Sequence, residues 1–144
     1  MNANWVNKIE IGVSATTADP PVWTYARLCQ GIESMQFNEN EQNQQYFFLC
    51  GEGFADNETT GAAPELVITG RRIVGDTAQD YVAGKQFKLG TERKSSAKIT
   101  AEGKVITCDC TIGAIASFGG QTLDVNAFGC TIRFNGKPTV TDAT

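Results

Sequence analysis

SSAKITAEGKVITCDCTI, residues 95–112, alternates small or apolar residues with polar ones on both sides of a single break at Glu102-Gly103. Period-two alternation on either side of a two-residue turn predicts a β-hairpin, and glycine supplies one of the positive φ angles such a turn demands. That turn fixes the register. Ala101 then pairs with Lys104, Ile99 with Ile106 and Ala97 with Cys108, so Ala97, Ile99, Ile106, Cys108, Cys110 and Ile112 share one face. Lys98, Thr100, Val105, Thr107, Asp109 and Thr111 take the opposite, mostly polar face.

Working outward, FGCTIRFNGKP (128–138) predicts a closing strand with Phe128, Cys130, Ile132 and Phe134 inward, ended by the NGKP turn. Near the N-terminus KIEIGVS (8–14) alternates Ile9, Ile11 and Val13 against polar or small residues. ADPP (18–21) breaks that pattern, because two prolines cannot both join a ladder. Thr24 to about Phe37 reads as one long strand with a bulge at Gly31. NENEQNQQ (38–45) reads as a polar turn, YFFLC (46–50) as a strand and GEGFADNETTGAAP (51–64) as a loop. ELVITGRRIV (65–74) is a further strand.

GDTAQDYVAGKQF (75–87) breaks the β pattern: Ala78, Tyr81, Val82 and Lys85 recur at helical spacing. Asp76 is the expected cap, with Gln79 completing a capping-box-like pair, so a helix is predicted over about 77–85. Roughly seven strands and one helix make a mainly β chain, a β-sandwich or small barrel with a flanking helix. The 144 residues are expected to form a single domain, 1–144.

Composition narrows function. Twelve basic and sixteen acidic residues give a net charge of −4, which argues against wrapping nucleic acid through phosphate neutralisation. There is no histidine, which removes the commonest general base and the commonest metal ligand. No apolar run is long enough to span a membrane, and MNANWVNKIEIGV lacks the build of a secretory signal, so a cytosolic origin and five reduced thiols are expected.

Each candidate chemical motif has a plainer reading. Cys108 and Cys110 form a C-x-C, but a zinc site without histidine needs two more cysteines, while Cys29, Cys50 and Cys130 fall on separate predicted strands; small core residues is the reading taken. Glu52, Asp56 and Glu58 have no calcium-loop spacing and read as a solvated loop. Arg71 and Arg72 precede a turn with one glycine, and Asp76 and Asp80 stand where a phosphate would sit. NET (57–59) matches a glycosylation acceptor by chance, without a secretory signal.

TGRRIVGDTAQDYV, LGTERKS, KITAEGKVITCDCTI and IRFNGKPTV together resemble the major tail (tail tube) protein of long-tailed, non-contractile bacteriophages. GDTAQDYV and FNGKP are the more specific segments, and GIESMQFNENEQNQQYFFLCGEGFA is similar to the family's strand, polar hairpin loop and glycine-rich turn. The resemblance runs from about Trp23 to Val140. It departs at Thr77, where proline is expected, and in cysteine content.

The resemblance implies a tail tube fold and a structural virion protein rather than an enzyme, with no cofactor and no membrane. Six copies would form a ring, and rings would stack into a tube that conducts genomic DNA without specific binding. Tape measure, tail terminator and baseplate proteins would be its partners. It would reside in the virion tail, after assembly in the cytoplasm of the bacterial host. Asn38, Glu39, Asn40, Glu41, Gln42, Asn43, Gln44 and Gln45 would mediate contacts between subunits, and Lys98, Thr100, Thr107, Asp109 and Thr111 would face a lumen of net negative potential, Asp109 offsetting Lys98. The alternatives are an inner tube protein of a contractile tail or injection machine, and a carbohydrate-binding β-sandwich on a virion.

Overall fold

The computed structural model describes residues 6–17, 21–119, 121–123 and 126–142. The hairpin forms as its turn chemistry requires. β7 (Lys94–Ala101) and β8 (Lys104–Ala116) pair Ala101 with Lys104, Ile99 with Ile106 and Ala97 with Cys108. Glu102 and Gly103 adopt φ of 52° and 75°, the doubly left-handed turn whose twist matches the flanking strands.

Around this hairpin an antiparallel sheet of eight strands is built. β1 (Lys8–Ala15) pairs with β7, and β2 (Trp23–Arg27) lies outside β1. On the other side β9 (Ala127–Phe134) pairs with β8, β6 (Glu65–Arg71) with β9, and β3 (Ile32–Asn38) with β6. β10 (Thr139–Asp142) joins the turn end of β8. The remaining two strands, β4 (Gln42–Phe47) and β5 (Ala55–Gly61), pair with one another in a separate ladder.

One face of the large sheet makes the core. Register aligns Ile9 with Ile99, Ile11 with Ala97 and Cys108, and Ile112 with Ile132 and Leu66. Residues from β1 and β6, at opposite sides of the sheet, belong to one buried cluster, so the sheet curls round its own apolar face as a barrel rather than as two facing layers. Cys108, Cys110 and Cys130 are buried in that cluster.

The single α-helix among the described residues, α1 (Thr77–Ala83), closes this face by lying against β1, β2 and β8, with Ala78 and Val82 buried. It is two residues shorter than expected, and residues 84–87 continue as turns.

Four expectations are corrected. Thr24 to Phe37 is two strands, because Gly31 (φ 79°) turns the chain across the barrel and sends β2 and β3 to opposite edges. A bulge and a crossover both call for such a glycine. The polar turn is confined to 39–41, since Gln42–Gln45 belong to β4, and the loop of 51–64 contains β5. YFFLC is not a core strand: Tyr46 and Phe47 end β4, and Phe48, Leu49 and Cys50 form an exposed turn. Of ADPP only Pro21 lies within the described residues, outside any strand.

Candidate assembly surfaces

β4 and β5 form an arm. At its base the Ala63 amide donates to the Glu39 carbonyl at 3.0 Å and the Asn40 side chain donates to the Ala63 carbonyl at 3.1 Å, so the arm leaves the barrel through a fixed joint. Thr59 donates to the Asn43 side chain, and Thr60 to the Gln42 carbonyl, along its length. Every β4 residue is exposed, and so is all of β5 except Ala55. A lone two-stranded ladder is marginal in water.

At the tip stand Phe47, Phe48, Leu49 and Phe54, all exposed, with Leu49 at 101 %. Tyr46 and Phe48 stack with ring centroids 5.9 Å apart, and both remain exposed. The chain's accessible surface is 9560 Å². A compact monomer of this mass, 15.5 kDa, exposes about 7,200 Å².

The arm is also electrically one-sided. Residues 38–64 contain Glu39, Glu41, Glu52, Asp56 and Glu58 and no lysine or arginine. At the base Glu41 hydrogen-bonds to Glu39 and repels it, raising the Glu39 carboxyl above its ordinary value.

The eight residues assigned to subunit contacts are thus divided: Asn38 ends β3, Glu39 to Glu41 form the joint, and Gln42 to Gln45 run up the arm. The apolar tip escaped the sequence reading. Its signal was glycines 51 and 53 directly after an apolar run, in a stretch without a single cation.

The second surface is the outer face of the large sheet. Lys98, Thr100, Thr107, Asp109 and Thr111 share it, by register with Glu10, Lys8, Thr139, Ser96 and Arg133 respectively. Glu10, not Asp109, stands opposite Lys98, and the Lys98 ammonium sits 5.4 Å from the Tyr25 ring centroid. Lys8, Arg27, Arg71, Lys94, Lys98 and Arg133 share this face with Glu10, Glu65 and Asp109, and Glu33 pairs with Arg71 at 2.8 Å. By count this face carries two more cations than carboxylates.

Behind the sheet, α1 is anchored by Gln79. Asp76 caps as expected, its carboxylate accepting from the Gln79 amide at 3.2 Å. The Gln79 side chain does not return the bond as a capping box would. It is fully buried, accepts from the Ile73 amide at 2.8 Å and donates to the Gln30 and Arg71 carbonyls at 2.8 and 3.0 Å. Those carbonyls flank the Gly31 crossover. Arg72 pairs with Asp80 at 2.8 Å, and this hydrogen bond holds the Asp80 carboxyl below its ordinary value.

Nothing among the described residues assembles a reaction centre or a metal site. No three Cys, Asp or Glu side chains there are grouped to hold an ion. Burial pushes the Cys110 and Cys130 thiols up to about 12, so they stay protonated and inert. A cleft of about 230 Å³ between β1 and β3 is lined by Ile9, Leu28, Ile32 and Met35 and by the polar side chains of Asn7, Arg27, Glu33 and Ser34. Among the described residues no helix is long and apolar enough to cross a membrane.

No family model and no curated protein matches the chain. Solved structures do. A chain from the tail of an empty gene transfer agent particle, refined with C6 symmetry, superposes with a TM-score of 0.74 at 10 % identity, covering 98 % of this chain and 99 % of that one. One from the native gene transfer agent virion gives 0.70, also at 10 % identity and over 98 % of this chain and 99 % of that one. One from the sheath–tube complex of an extracellular contractile injection system gives 0.54 at 10 % identity, over 99 % of this chain and 93 % of that one.

At such identities the likeness is one of fold. The class this defines is the tail tube fold, mainly β with one helix among the described residues, seen in a chain of a gene transfer agent tail and in one of a sheath–tube complex. Within it, both gene transfer agent chains superpose better than the injection-system chain.

Proposed function

We propose that this chain is a structural virion protein, a tail tube subunit acting as the single domain 1–144. Six copies close into a ring, rings stack, and genomic DNA passes down the bore without specific binding. One observation carries the reading: a full-length likeness to a tail chain refined with C6 symmetry, in a subunit whose arm has nothing to pack on. β2 and β3 are edge strands, a hazard that a closed ring removes by pairing each edge with a neighbour.

The non-contractile tail of a long-tailed phage is the setting proposed, with tape measure, terminator and baseplate proteins as partners and assembly in the bacterial cytoplasm. A contractile tail or injection machine is the second reading, favoured by the likeness to the sheath–tube chain. In both settings the subunit's task is the same.

Electron microscopy of the purified chain at high concentration is the test. Hollow tubes of sixfold rings are expected. A compact monomer at every concentration and salt would overturn the proposal.

A further inference from the structure

The acidic, apolar arm has a counterpart on the same chain. After α1 the segment 85–94 carries Lys85, Lys88, Arg93 and Lys94 against Glu92 alone. It is a built surface: Arg93 donates to the Lys88 and Ile112 carbonyls, and Ser117 bonds the Gln86 side chain, which brings Phe118 alongside. Phe87, Leu89 and Phe118 are exposed there, Phe87 at 84 %. Phe87 also holds a φ of 69°, a conformation bulky residues rarely adopt without a use for it.

We infer that the arm tip of one copy docks on the 85–94 surface of the next copy. This rests on the tube reading and names the two halves of its subunit contact. The occupant is a second copy because the halves match in both respects that matter. Each presents exposed aromatic and leucine side chains, and the charges are opposite: five carboxylates and no cation on residues 38–64, four cations and one carboxylate on 85–94. The arm cannot satisfy itself within its own chain, where its tip is exposed and its strands pair only with each other. Arm and surface are different patches, so the contact is heterologous and propagates from copy to copy, which suits rings and tubes and not an isolated dimer.

Charge swapping tests this. Lys85→Glu with Lys88→Glu takes the surface from +3 to −1, and Glu52→Lys with Glu58→Lys takes the distal arm, residues 44–58, from −3 to +1. Lys88, Glu52 and Glu58 are exposed, and circular dichroism checks that each variant folds. Sedimentation and microscopy then read the concentration needed for tubes. Each pair alone is expected to raise it at least about tenfold, and the four together to restore it most of the way, because opposite signs meet again.

If the arm swap abolishes tubes while the surface swap leaves them intact, or if the fourfold variant fails to recover, the docking assignment is wrong and the tube reading stands. If the unaltered chain makes no polymer at all, both fall together.

Discussion

Gln79 ties three elements with one side chain. Its amide bridges the Ile73 amide, the Gln30 carbonyl and the Arg71 carbonyl, so the start of α1, the end of β6 and the crossover between β2 and β3 move as one. Truncation leaves buried backbone groups unsatisfied, each worth about 1–3 kcal/mol. Gln79→Ala is therefore expected to lower the melting temperature by several degrees, read by thermal circular dichroism; an unchanged midpoint would remove the anchor from the account. Thiols provide a second reading at this scale. Cys29 and Cys50 are exposed, while Cys108, Cys110 and Cys130 are buried. Two of five are expected to react promptly with a thiol reagent in the native protein, and all five under denaturing, non-reducing conditions. Cys110 and Cys130 titrate near 12 in the fold against 9.0 unfolded, so the unfolded state binds fewer protons in between. Their burial stabilises the fold fully below pH 9 and loses that contribution as the pH climbs towards 12, which an alkaline unfolding curve would record.

The elements differ in how far the sequence announces them. Residues 95–112 were legible in register because alternation and a glycine turn are local signals, and α1 was legible from Asp76 and the 78–82 spacing. The arm was not. Gln42–Gln45 and Asn57–Thr60 are polar on both faces, so no periodicity marks them as strands, and Tyr46–Cys50 is a short apolar run that reads equally as core. Only the ladder across Gln45 and Asn57 reveals the arm, and that pairing is not visible in either segment alone. The intersubunit role assigned to Asn38–Gln45 rested on polarity and resemblance, and those residues form the joint and the lower arm rather than its tip. Replacing residues 42–61 by a short glycine turn removes no buried core residue. The shortened chain is expected to fold, judged by an unchanged β signature and cooperative melting, and to form no tubes. Normal tubes would reduce the arm to a solvated ornament.

At the scale of the whole molecule, α1 covers the core face of the curled sheet and leaves the outer face, with Lys98 and Asp109, open. If that face lines a bore, sixfold symmetry multiplies each side chain into a ring of six. The register places six cations on this face of each copy and, with Glu33 on Arg71, four carboxylates, Glu65 lying within 3.7 Å of Arg133 and Glu10 opposite Lys98. A bore so balanced passes DNA only while few cations are free to reach phosphates, since each phosphate neutralised releases counterions and adds affinity. Asp109 is exposed, so Asp109→Lys is expected to leave the fold and the tubes intact while adding about twelve positive charges per ring. Purified tubes of this variant should then retain short duplex DNA, with a retention that falls steeply as salt rises, where unaltered tubes retain little. Equal retention by both, with Asp109 resolved on the outer wall of the tube, would take this face of the sheet out of the bore and turn the molecule round in its ring.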